Sequence, residues 1–163
     1  MRKLGSLLVL IWLAACTSPE KVVGPVTPQK TPPVAQAEAK KEVIASSKAN
    51  NLAAYQKELA VHISQRNSPY IYVTQPQALL RSVIVIKFVL DAKGKLLSRD
   101  ILRSNRDKET EQIALASLTR AQNFPVPSTS WFRQGKLELI ETWLFNSDGR
   151  FQLRTIALPQ ASE

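Results

Sequence analysis

Two spacings of apolar residues alternate along the C-terminal two thirds of the chain. Leu52, Tyr55, Leu59 and Ile63 recur three or four apart, with Gln56, Lys57 and Gln65 on the other side, the pattern of one helical face. Asn50 or Asn51 stands where a side chain caps the free amides of a first turn. After an irregular stretch with Pro69 and Pro76, the spacing drops to two. Val83 to Leu90 reads as a strand with Ile84, Ile86, Phe88 and Leu90 on a core face, and Val83, Val85, Lys87 and Val89 facing away. Asp91-Ala92-Lys93-Gly94 is a turn in which Gly94 is free to take positive φ. Leu96 to Arg103 returns as a second strand, and its adjacent apolar pairs Leu96-Leu97 and Ile101-Leu102 point to a bulge. Asp107 is placed to cap a second helix from about Lys108 to Asn123. Glu109 and Glu111 in its first turn and Arg120 in its last suit the helix dipole, and Ala114, Leu115, Leu118 and Ala121 supply its buried side. Phe124-Pro125-Val126-Pro127 stops it. Lys136 to Phe145 alternates again, Asn146 to Gly149 makes a hairpin turn, and Phe151 to Leu158 is expected as the last strand. The order α-β-β-α-β-β predicts an α+β fold of two layers, a small antiparallel sheet packed against two helices.

The N-terminus has a different pattern. Arg2 and Lys3 precede an apolar run from Leu7 to Leu13, too short for the roughly 20 residues that span a bilayer. Leu13-Ala14-Ala15-Cys16 follows, with the only cysteine in the chain. This resembles the lipobox of bacterial lipoproteins. The resemblance implies a diacylglyceryl group on the Cys16 thiol, removal of residues 1–15 as a signal peptide, and acylation of the new amine. Thr17 stands where aspartate commonly marks inner-membrane retention, so the resemblance favours a periplasm-facing anchor in the outer membrane over the inner. Residues 16–48 read as the lipidated cysteine and a Pro/Ala/Lys-rich tether, with Pro19, Pro25, Pro28, Pro32 and Pro33 favouring extended backbone. At roughly 3.1 Å per residue such a tether reaches at most about 100 Å. Residues 49–163 form the folded domain.

Composition narrows the chemistry. With Cys16 lipidated, no thiol remains for a disulfide, and the domain relies on its core. The formal charge of +9 is spread among acidic residues and reads as a solvated face rather than a nucleic-acid surface, since no nucleic-acid reader motif is present. His62 is the only histidine and lies beside the first helical stripe, a helix-edge residue with no partner for metal or acid–base work. No Gly-x-Ser-x-Gly elbow, metal-ligand cluster or phosphate loop appears. The expectation is a binding or structural protein, not an enzyme, with no cofactor and no metal. Trp131 and Trp143 are expected to pack in the core or at its edge.

The run Val83 to Leu96, with alternating Val, then Phe88, then Asp91-x-x-Gly94, resembles the first hairpin of TonB C-terminal domains. Ser104 followed by Glu111, Ala114 and Leu115, and Phe145 through Gly149, are similar to that family's helix opening and last hairpin. The helix around Tyr55, and Ala121 through Pro127, resemble the related TolA C-terminal domain. The likeness covers about Asn51 to Leu158. It departs in lacking an inner-membrane helix, the Tyr-Pro pair before the first strand, the hairpin glycine (Ser82 here) and the paired cysteines of many TolA domains. The resemblance implies a TonB/TolA-like module that offers a sheet edge to an extended segment of an envelope protein. Lys136 to Leu158 is the expected edge region, with Leu139, Glu141, Thr142, Trp143, Arg154 and Thr155 as candidate partner-binding residues. Strand exchange into a homodimer stays open. A second expectation is a structural lipoprotein whose Lys93, Lys95, Arg99 and Arg103 meet cell wall or other lipoproteins.

Overall fold

The computed structural model describes residues 45–161. Cys16, the lipobox residues Leu13, Ala14 and Ala15, and most of the tether lie outside the described residues. Helix α1 (Leu52–Arg66) opens where Asn51 accepts a hydrogen bond from the Ala54 amide at 2.8 Å, and it buries Tyr55, Leu59, Ala60 and Ile63. Strand β1 (Ser82–Leu90) buries Ile84, Ile86, Phe88 and Leu90 as the alternation requires. Val89, assigned to the wet face by its spacing, is buried instead. It lies beside one of two register shifts against strand β2 (Leu96–Arg103). Val89 and Leu90 face Ser98 and Leu96, and Val85 and Ile86 face Arg103 and Ile101, so Leu97 and Leu102 are the extra residues. Each is the second member of an adjacent apolar pair, because a bulge lets two neighbours avoid opposite faces.

Helix α2 (Lys108–Arg120) is capped by Asp107, whose carboxylate accepts from the Glu109 and Thr110 amides. It ends three residues before the expected Asn123. Asn123 takes a φ of +73°, a left-handed conformation that a helix interior excludes. Strand β3 (Leu137–Phe145) buries Leu137, Leu139, Glu141, Trp143 and Phe145 on its inner face. Strand β4 is only Phe151–Leu153, which corrects the expected strand to Leu158. Residues Arg154–Ile156 turn into a 3-10 helix instead, closed by the Ala157 amide on the Arg154 carbonyl at 3.3 Å.

The sheet order is β2-β1-β3-β4, all pairs antiparallel. Residues of both helices share one core with the inner face of the sheet. Several buried polar groups are paired across it. Trp143 donates from Nε1 to Ser117 Oγ at 2.9 Å, and Tyr55 donates to the Pro125 carbonyl at 2.8 Å. Buried Asn67 joins the helices, donating to the Ile63 and Ser117 carbonyls and accepting from Arg120 Nε at 2.6 Å. Residues 45–47 pair with Val126: the Val126 amide donates to the Ala45 carbonyl at 3.0 Å, and the Ser47 amide to the Val126 carbonyl at 2.9 Å. The last residues assigned to the tether thus lie against the domain.

Candidate functional site

Strand order alone makes β2 and β4 the edges of the sheet, but they are not equally open. Along β2 the two bulges and the exposed charges of Lys95, Arg99, Asp100 and Arg103 are devices that discourage pairing. The outer side of β4 is occupied. Ile71 bridges to Phe151 in parallel, the Tyr72 amide donates to the Phe151 carbonyl at 3.3 Å, and Gln152 Nε2 donates to the Tyr72 and Thr74 carbonyls.

The third edge arises because β4 is short. β3 pairs with β1 over its whole length, yet with β4 only at Trp143, Leu144 and Phe145. The Asn146 amide donates to the Arg150 carbonyl at 2.9 Å across the hairpin. Hydrogen-bonding pairs alternate in an antiparallel ladder, so Leu144, Thr142, Ile140 and Glu138 turn their backbone groups toward the β4 side. β4 reaches only Leu144. The outward groups of Glu138 and Ile140 meet no strand among the described residues. Ile140 is 54% exposed. On the inner side, this edge borders a crevice where Leu59, Ala60 and Ile63 of α1 face Phe88 and Leu139.

Thr142 is the exception. Its outward amide donates to Glu141 Oε1 at 2.7 Å, and the Thr155 amide from the 3-10 turn approaches the same oxygen at 3.4 Å. Glu141 is 8% exposed. Burial pushes its carboxyl above the ordinary range, and the bonds from Thr155 and Thr142 with the positive charge of Arg154 offset this only in part.

The structure therefore gathers part of the expected set. Glu141, Thr142 and Thr155 converge on one carboxylate oxygen. The side chains of Leu139 and Trp143 are in the core and their backbone groups face β1, so neither contributes to the open edge. Arg154 and Thr155 are exposed, and Thr155 stands in the 3-10 turn rather than in a strand. Ile140 and Glu138 were not singled out from sequence. The signal for Ile140 is its place between Glu138 and Thr142 on the side of the alternation that faces away from Leu137, Leu139 and Trp143.

Elsewhere the polar groups serve packing. His62 sits on the edge of α1 with Nε2 at 2.9 Å from the Ala121 carbonyl and its ring against Phe124. Arg81 donates to Asp107 and Glu109 and ties β1 to the start of α2. Ser104 donates to Glu111 at 2.6 Å. Trp131 is half-buried with its ring tilted on Tyr55. Among the described residues no group of three His, Cys, Asp or Glu could hold a metal ion, and no helix is long and apolar enough to cross a membrane. No family model, no curated protein and no solved structure matches the chain.

Proposed function

We propose that this chain is a lipid-anchored, periplasm-facing module of the cell envelope, similar to the C-terminal domains of TonB and TolA. It docks an extended segment of a partner protein by adding it as a strand to the β3 edge. The observation that carries the reading is the open run Glu138–Ile140, whose outward backbone groups meet no strand among the described residues. A segment laid there gains main-chain hydrogen bonds for affinity. The lipid at Cys16 holds the module at the membrane, and the tether sets its reach.

The test uses the backbone. Proline at residue 140 removes the outward amide while leaving the ladder to β1 whole, because residues 139 and 141 face β1. Ile140→Pro is expected to lower partner capture from envelope extract at least tenfold, and Ile140→Ala less than threefold, with both folded by circular dichroism. Equal capture by the two variants excludes strand addition at this edge. The exposed Lys93, Lys95, Arg99 and Arg103 along the β1–β2 hairpin favour the structural alternative, contact with anionic cell wall, and salt-sensitive retention on isolated wall would then move it ahead.

The anchor has its own test. Each buried methylene of an acyl chain contributes about 0.8 kcal/mol, so the wild type is expected to stay with membranes through a high-salt wash. Cys16→Ala is expected to accumulate as unacylated precursor or to enter the soluble fraction. Incorporation of labelled fatty acid into the wild type and not the variant is the direct check. Release of the wild type by salt would count against the lipobox.

A further inference from the structure

On the strand-addition reading, we infer that residues Arg154–Ala161 are a removable cover of the Thr142 end of the β3 edge, an autoinhibitory contact that a strand entering along Glu138–Ile140 displaces. The argument begins with register. Trp143 faces Leu153, Leu144 faces Gln152 and Phe145 faces Phe151. Continued by the same rule, β4 would set Thr142 opposite Arg154, Ile140 opposite Ile156 and Glu138 opposite Leu158. β-branched Thr155 and Ile156 would suit such a strand.

The chain does something else. It turns at Arg154, and the Arg154 carbonyl, which a continued β4 would offer to the Thr142 amide, accepts from Ala157 at 3.3 Å. The Glu141 carboxylate stands in for the missing carbonyl, accepting from Thr142 at 2.7 Å. Through its 3.4 Å contact with the Thr155 amide, the same oxygen fastens the turn to β3. One side chain therefore both caps the edge and holds the segment beside it.

The far end of the cover is tied separately. The Ala161 amide donates to the Pro76 carbonyl at 2.9 Å, and Gln160 Nε2 donates to the Gln77 and Ala78 carbonyls at 2.8 and 2.7 Å. Between the two ties only Ile156 packs against the core; Ala157 is half-buried and Leu158 is 51% exposed. Exposed hydrogen bonds exchange for water at small net cost, and segments with few buried contacts open before the core does. The cover also has a use in the unbound protein, since a bare strand edge invites pairing with other chains. An incoming strand brings its own carbonyl to Thr142 and thereby replaces Glu141.

The probe is a blocked peptide with the sequence of Leu153 to Leu158, the chain's own segment free to extend. It is titrated into the full chain, as wild type, Glu141→Ala and Gln160→Ala, with amide resonances and amide hydrogen exchange as readouts. Exchange at Thr142 is expected to quicken at least tenfold in Glu141→Ala. Both variants are expected to bind the peptide at least fivefold more tightly than wild type, with shifts at Glu138, Ile140 and Thr142. Gln160 is a surface residue, so its variant carries the test if Glu141→Ala fails to fold. Equal affinity of the three proteins at those amides overturns the cover and leaves strand addition standing. Absence of binding by every variant overturns both.

Discussion

Phe88→Ala is expected to lower unfolding free energy by about 3–5 kcal/mol, the range for emptying a buried phenylalanine site. Phe88 is buried on the inner face of β1, with its ring 6.2 Å from that of Phe124 and Leu139 opposite on β3. Truncation leaves a void beside β1, which is paired on both sides at Phe88, with Arg99 of β2 and Leu139 of β3, so little of that strand can collapse into it. Lys87 is the internal control. It is the next residue on the same strand, half-exposed on the outer face between Asp100 and Ile140. Lys87→Ala removes at most a cross-strand charge pair and is expected to cost about 0.5 kcal/mol or less. Urea unfolding of the two variants under one condition measures the difference. Comparable losses would mean that the outer face of the sheet is as deeply covered as the inner one, and the two-layer description would be abandoned.

Gly94→Ala is expected to cost about 2–5 kcal/mol, combining roughly 1–2 kcal/mol for a side chain in left-handed backbone with about 1–3 kcal/mol for overpacking. Gly94 has a φ of +74°, and a Cβ added to it would lie 2.2 Å from the Phe124 carbonyl oxygen. The obstacle is backbone, and the Phe124 amide itself donates to the Gly94 carbonyl at 3.2 Å. Relief therefore requires the β1–β2 turn and the end of α2 to separate. Gly135 has the same φ with nothing near its missing Cβ, so Gly135→Ala is expected to show the conformational cost alone, about 1–2 kcal/mol. Thermal or urea denaturation of the pair isolates the steric part. If the two alanines cost the same, the close approach of Phe124 contributes nothing to stability.

The functional edge depends on the same β3 that these substitutions test, but on features local patterns do not carry. Periodicity places residues on faces of an element. It does not say which strands become neighbours.

Local rules were therefore enough for much of the domain. The period-two runs located β1, β2 and β3, the adjacent apolar pairs marked where β2 bulges, Asp107 and the pair Asn50-Asn51 announced their helices, and Gly94 announced its turn. Each of these is decided within about four residues, by sterics or by a hydrogen bond to a near neighbour. The apolar spacing also identified most of the core, because a half-buried strand or helix must turn its apolar side inward. Only the tertiary structure decided that β1 and β3 lie at the centre, that β4 stops at Leu153, and that Ile71 and Tyr72 close the outer side of β4. Thr155 and Ile156 have the composition of a strand, yet they form a turn held by Glu141, whose place in the alternation beside Leu139 and Trp143 does not by itself name that contact. A buried carboxylate acquires its role from the amides that surround it, and one of those amides comes from a segment fourteen residues away. The open run Glu138–Ile140 is likewise a property of two strands of unequal length, which neither strand encodes alone.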